Sequence, residues 1–144
     1  MSLVTEREIA DKCMCLKVRC AARAVTRAYD AALRPSGLRA TQMSVLVAVA
    51  AEGAVSIAAL AEYMGMDRST LTRNLQPLAK DGLVSLGPEG WRRSRTIAIT
   101  KKGVERMRKA LPYWEDAQKT LQKELGAANW VQVARSLDLL GSAS

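Results

Sequence analysis

Across residues 69–80, six side chains offer hydroxyl, amide, guanidinium or ammonium groups at spacings that gather them on one side of a helix. Leu71, Leu75 and Leu78 define the buried direction. At about 100° per residue, Ser69, Arg73, Gln76 and Lys80 then project to the opposite side, with Thr70 and Thr72 flanking them. A helix over 68–81 would open on Arg68 and be capped by Asp67. Side chains of these types make hydrogen bonds to phosphates or to base edges, and Arg73 is the best suited to guanine. Pro77 lies beyond most of this set, so its bend should leave their placement intact.

A second group lies downstream. Residues 91–109 carry Arg92, Arg93, Arg95, Lys101, Lys102, Arg106, Arg108 and Lys109 against the single acid Glu105. The whole chain holds 22 Lys plus Arg and 14 Asp plus Glu, a formal charge of +8. Charge runs are commonly just solvated faces. Beside a helix bearing a polar reading face, however, this one suggests a polyanion, with the loop arginines entering a narrow minor groove. Trp91 more readily covers the base of its own loop than a sugar edge.

The residue inventory argues against catalysis. There is no histidine, so Ser-His-Asp and Cys-His pairs and imidazole-based zinc sites are excluded. We identify no catalytic residue, no metal site and no cofactor. Cys13, Cys15 and Cys20 are odd in number, and on one continuous helix they cannot readily pair. Cys13 and Cys20 would lie about 10 Å apart along the axis, and Cys13 and Cys15 would point to nearly opposite sides. A free cysteine commonly packs as a small apolar residue. Residues 1–7 have no basic segment running into an apolar one, and the most apolar stretch, 43–51, is far short of the ~20 residues a membrane span needs. A cytoplasmic protein without a membrane partner is expected.

The elements that must position these groups follow from punctuation and period. The length of 144 residues suits one domain with a helical arm. Residues 6–33 contain neither Pro nor Gly and predict one long helix. It carries two apolar stripes: Ile9, Cys13, Leu16, Cys20, Ala24, and Cys15, Val18, Ala22, Val25, Tyr29. Two stripes imply packing against a second subunit as well as the chain's own domain. Pro35-Ser36-Gly37 breaks the chain, and Thr41 is read as the N-cap of a buried helix through Met43, Leu46, Val47 and Ala50 that stops near Gly53. A helix over 57–64 follows, with Gly65 making a tight turn into the 68–81 helix.

Leu83-Val84-Ser85-Leu86 and Arg95-Thr96-Ile97-Ala98-Ile99 then read as a two-stranded hairpin. Thr100 caps a long arm whose Val104, Met107, Leu111, Trp114, Gln118, Leu121 and Leu125 step like a coiled-coil seam, with a kink expected at Pro112. Gly126 ends it, and Trp130, Val133, Leu137 and Leu140 form one more amphipathic helix. The fold class is mainly α with a small β-wing: a winged helix-turn-helix over 38–100, between dimerisation segments 1–34 and 101–144.

Leu60-Ala61-Glu62-Tyr63-Met64-Gly65, Ser69-Thr70-Leu71-Thr72-Arg73-Asn74-Leu75 and Leu78-Ala79-Lys80-Asp81-Gly82-Leu83-Val84 resemble the MarR family of bacterial transcriptional regulators. So does the run from Arg95 through Thr100 to Lys101-Lys102-Gly103. The resemblance implies a homodimer on a pseudo-palindromic operator of double-stranded DNA, acting as a repressor. It also implies a small phenolic or other aromatic acid bound between the arm and the winged domain. Many relatives carry Asp-x-Arg at the wing; Glu89-Gly90-Trp91-Arg92-Arg93 has no such Asp, and Arg92 is favoured as the groove-entering arginine. Cys15 aligns with the reactive cysteine of the organic-hydroperoxide-sensing branch and Tyr29 with one of its tyrosines. Arg19, Ala40 and Met43 stand where its other tyrosines would be.

The DNA-binding set is therefore Arg68, Ser69, Thr70, Thr72, Arg73, Gln76, Arg92, Arg93 and Arg95. The effector or redox set is Cys15, Arg19 and Tyr29, with Arg19 and Lys12 placing positive charge near Cys15. Two other readings stand beside the regulator: an oxidant switch worked through Cys15, and a winged-helix protein-interaction module with no DNA role.

Overall fold

A computed structural model describes residues 4–88 and 95–142. In chain order it holds α1 (Glu6–Lys12), α2 (Met14–Leu33), α3 (Ala40–Glu52), β1 (Val55–Ser56), α4 (Ile57–Tyr63), α5 (Arg68–Lys80), β2 (Val84–Leu86), β3 (Thr96–Ile99), α6 (Lys101–Leu125) and α7 (Ala127–Ser142). Helices dominate and the sheet is small, as the sequence predicts.

The core is aliphatic. Met43, Val45, Leu46 and Val49 of α3, Ile57 and Leu60 of α4, and Leu71, Leu75 and Leu78 of α5 bury their side chains with Leu83, Val84 and Ile97. Leu33 and Leu38, on either side of the Arg34–Ser36 turn, join the same cluster, as does Ala110 of α6. One polar side chain, Ser36, is buried with them among the described residues. Its hydroxyl donates to the Leu33 carbonyl (2.6 Å) and accepts from the Leu38 amide (3.2 Å), which fixes the turn between α2 and α3.

Several predicted details change. The helix expected over 6–33 is two helices, broken at Cys13, whose backbone is extended (φ −65°, ψ 109°). No Pro or Gly marks the break. Instead, the Cys13 thiol accepts from the Leu16 amide (3.5 Å) and caps α2, while a Thr5–Glu8 capping box starts α1. α1 buries no residue, so no packing holds it in line with α2.

α3 begins before Thr41, which is therefore not its N-cap. The Asp30 carboxylate, ten residues back on α2, accepts from the Ala40 amide (2.7 Å), and Gln42 Oε1 accepts from the Arg39 amide (2.9 Å). Two partners, one of them on another helix, thus satisfy amides that the helix start leaves without intrahelical acceptors. Val47 and Ala50, expected inside, are exposed; Val45, Ala48 and Val49 are buried in their place.

The hairpin is part of a three-stranded antiparallel sheet in the order β1-β3-β2. Val55 pairs with Ile97, and Val84 pairs with Ile99. A two-residue strand is too short to show alternation, so β1 had no signature beyond its position. α6 runs unbroken through Pro112, and α5 through Pro77.

The buried residues of α6 are Gly103, Ala110 and Ala117, seven residues apart, with Met107 and Trp114 packed partly buried beside them. Small side chains at that spacing let two backbones approach closely. The larger seam residues Leu111 and Leu125 stay more than a third exposed. The approach is tightest at Gly103, where a Cβ would lie 2.0 Å from the Leu83 carbonyl oxygen and 2.8 Å from Ile99 Cγ1. Gly103→Ala should thus cost about 1–3 kcal/mol through overpacking and lower the thermal midpoint by several degrees. Gly141→Ala, where a Cβ would meet nothing within 4 Å, should leave the midpoint unchanged or raise it slightly. Circular dichroism melts compare the two; equal midpoints would show that the Gly103 contact relaxes without cost.

Candidate nucleic-acid interface

α5 is held from inside by Leu71, Leu75 and Leu78, each fully buried. That anchoring turns Arg68, Ser69, Thr72, Arg73, Gln76 and Lys80 outward and leaves Thr70 half-buried. The polar face deduced from the sequence is thus present as one continuous outer surface.

The start of the helix is organised by Asp67. One carboxylate oxygen accepts from the Thr70 amide (2.8 Å) and from the Ser69 hydroxyl (2.5 Å); the other accepts from the Thr70 hydroxyl (2.7 Å). Arg73 Nη2 lies 3.5 Å from Thr70 Oγ1 as a weak donor. The hydroxyls of Ser69 and Thr70, followed by the Thr70 amide, hold the Asp67 carboxyl well below the usual carboxylate range.

Two grooves flank α5. On one side Arg68, Thr72 and Gln76 line a groove of about 310 Å³ with Leu86 and Arg95. Four of the predicted residues therefore come together. Arg95 is half-buried and its Nε donates to the Gly87 carbonyl (2.9 Å), while its own carbonyl accepts from the Ile57 amide (2.8 Å). It ties the base of the wing to the sheet besides adding charge. Arg92 and Arg93 lie outside the described residues.

On the other side a groove of about 310 Å³ is lined by Arg39, Thr41 and Gln42 of the α3 start together with Arg73, Asn74 and Pro77. Arg39 is missing from the sequence-derived set: with Thr41 taken as the N-cap, Arg39 falls in the preceding loop, where no periodicity assigns it a direction. The Asp30 cap that would have corrected this is a contact between helices, invisible to local pattern.

The far end of α5 is clamped to the arm. Lys102 Nζ donates to the Asp81 carbonyl (2.8 Å), Thr100 Oγ1 to the Gly82 carbonyl (2.6 Å), and the Thr100 amide to the Leu83 carbonyl (3.1 Å). Thr100 also caps α6 by accepting from the Gly103 amide (3.0 Å).

A separate cleft of about 500 Å³ opens between α2, α3 and α6. Its walls include Val25 and Tyr29 of α2, Met43 and Val47 of α3, and Leu111 and Trp114 of α6. The Tyr29 hydroxyl donates to Gln118 Oε1, and burial pushes its pKa up. Of the residues assigned to an effector or redox role, Tyr29 alone lines this cleft. Arg19 and Cys15 lie further up α2 and are exposed, so the three do not form one site. Cys13 is half-exposed and Cys20 exposed, and all three thiols are free. Among the described residues no cluster of three or more Cys, Asp or Glu is placed to hold a metal ion, and no helix is long and apolar enough to cross a membrane.

The Asp67 cap has a definite pH signature. Its folded pKa is depressed, so its stabilisation is fully present above the unfolded value near ~3.9 and is lost as pH falls through the lower folded value. Asp67→Ala should therefore melt below the wild type by a gap that stays constant from pH 7 to about pH 5 and closes only in stronger acid. A gap already closing near pH 6 would contradict the hydrogen-bonded carboxylate.

Comparison with known proteins agrees with this architecture. A family model described as MarR family matches residues 36–93. The crystal structure of the M. tuberculosis transcriptional regulator MosR in complex with DNA is 39% identical, with a TM-score of 0.82 over 92% of this chain and 96% of that one. A mutant of E. coli MarR complexed with operator DNA is 19% identical, with a TM-score of 0.81 over 94% of this chain and 99% of that one. CouR from Rhodococcus jostii bound to p-coumaroyl-CoA is 24% identical, with a TM-score of 0.76 over 93% and 95%. At those identities the last two speak to fold alone. No curated protein matches. With a relative this similar along nearly its whole length, and with the helix order, sheet and polar α5 face in place, the chain belongs to the MarR family of transcriptional regulators.

Proposed function

We propose that the chain binds double-stranded DNA as a homodimer and represses transcription from a pseudo-palindromic operator. The carrying observation is the outer face of α5, where buried leucines on one side oblige Ser69, Thr72, Arg73 and Gln76 to project on the other. Support comes from MosR, of similar sequence and fold, whose crystal structure contains DNA. In this reading α5 lies in the major groove with Arg68, Ser69, Thr70, Thr72, Arg73 and Gln76 facing bases and phosphates. Arg92, Arg93 and Arg95 act at the wing, in or beside the minor groove.

A dimer built by segments 1–34 and 101–144 is supported by apolar surface that this single chain leaves uncovered. On α7, Leu137 is 52% and Leu139 70% exposed, and on α1 and α2, Ile9 is 55% and Leu16 43% exposed. Bare apolar surface on several helices of one arm is the mark of an interface.

The cleft beside Tyr29 and Trp114 is the proposed effector site, suited to a small aromatic compound. None of its ten lining residues is charged; Thr26, Ser44 and Tyr29 supply its hydroxyls. An effector bound there releases DNA only by favouring the arrangement that does not fit the operator.

A second reading makes Cys15 an oxidant sensor. It is favoured by the exposure of Cys15 and by the helix break at neighbouring Cys13. A Cys15→Ser protein that still releases DNA under peroxide rejects it.

Binding to the operator should weaken steeply between ~50 and ~200 mM salt, because phosphate contacts displace counterions. Arg73→Ala should cost about 1–3 kcal/mol on the specific site and less on random duplex. Fluorescence anisotropy titrations on labelled duplexes measure both. Equal, salt-insensitive affinity for every duplex would remove the regulator reading.

A further inference from the structure

We propose that Asp67 sets the hydrogen-bond polarity of Ser69 and Thr70, so that these two hydroxyls face exocyclic amino groups of adenine or cytosine and not phosphates. The inference rests on the DNA-binding reading above and names what part of that surface reads.

A hydroxyl has one proton to donate and two lone pairs to accept with. Both protons here are committed. Ser69 Oγ donates to Asp67 Oδ1 at 2.5 Å, and Thr70 Oγ1 donates to Asp67 Oδ2 at 2.7 Å. The carboxylate only accepts, which settles the direction of both bonds, and its depressed pKa keeps it ionised at neutral pH. What remains outward is acceptor capacity alone: two lone pairs on Ser69 and, beside the long contact from Arg73, one on Thr70.

Phosphate oxygens, guanine O6 and N7, and thymine O4 are acceptors, so none of them pairs with such a surface. The amino groups N6 of adenine and N4 of cytosine are the donors that the major groove offers. The Asp67 charge works in the same direction, because a carboxylate beside the two hydroxyls repels phosphate and attracts an amino group. Arg73, one turn on, has the opposite polarity and takes acceptors. The start of α5 thus presents acceptors followed by a donor, a pattern that selects among base pairs.

The test uses the full-length protein and duplexes carrying a selected operator with each base pair changed singly. Ser69→Ala and Thr70→Ala should each weaken binding by about 3- to 10-fold on duplexes with adenine or cytosine at one particular position. Once that pair is changed, the loss should disappear. Asp67→Asn keeps a residue type that caps helices well, but its amide nitrogen donates, so one hydroxyl proton is released. Its preference at the same position should move toward guanine or thymine. Melting curves establish that each variant is folded; should Asp67→Asn fail there, the two alanine variants decide. A uniform loss across all duplexes, or no loss on any, would mean a phosphate contact or no contact and would overturn the proposal while leaving DNA binding intact. Failure of the wild type to bind any duplex at low salt would remove both readings together.

Discussion

The close passage of the α6 backbone over Leu83 is the constraint on which the functional surface depends. A side chain at position 103 would collide with the Leu83 carbonyl oxygen, so the first turn of α6 lies this close only because residue 103 is glycine. The Thr100 and Lys102 hydrogen bonds to the carbonyls of Asp81, Gly82 and Leu83 then fasten the arm to the end of α5. With its three leucines sunk in the core, α5 is held on its inner face and at its C-terminal end. The start of α6 is thus joined to the turn that follows α5 by a backbone contact and three hydrogen bonds.

That coupling gives the cleft its meaning. It is walled by α2 and α3 on one side and α6 on the other, so in the proposed reading an occupant there would press on α6. Tyr29 spans the same helices through its bond to Gln118. Its hydroxyl ties α2 to α6 next to the space where an effector would sit. Charge is arranged separately from this apolar cleft. Arg68 and Arg95 line one flank of α5, Arg39 and Arg73 the other, and the one carboxylate at the start of the helix is spent internally on Ser69 and Thr70.

Much of this was legible from residue types and spacing. The leucine period oriented α5, Asp67 and Thr100 marked helix starts, and Gly65 sits at positive φ where a tight turn was expected. The failures share a cause: each depends on a partner distant in sequence or on a weak signal. Asp30 caps α3 from another helix, so the start fell at Thr41 and Arg39 was overlooked. Cys13 interrupts a stretch with no helix breaker, using a thiol that local pattern does not rank as a cap. Gly103, Ala110 and Ala117 repeat every seven residues, yet a search for large apolar side chains passes over them. The separation of Cys15 and Arg19 from Tyr29 likewise follows from which elements surround α2 at each height, which a periodicity cannot show.

On the proposed reading, two copies of α5 occupy two half-sites on one duplex. Hydroxyl-radical footprinting of an operator fragment tests it most directly. Two protected patches about one helical turn (~10 bp) apart are expected, filling together as protein is added. A single protected half-site at saturation, or protection spread evenly along the fragment, would contradict it.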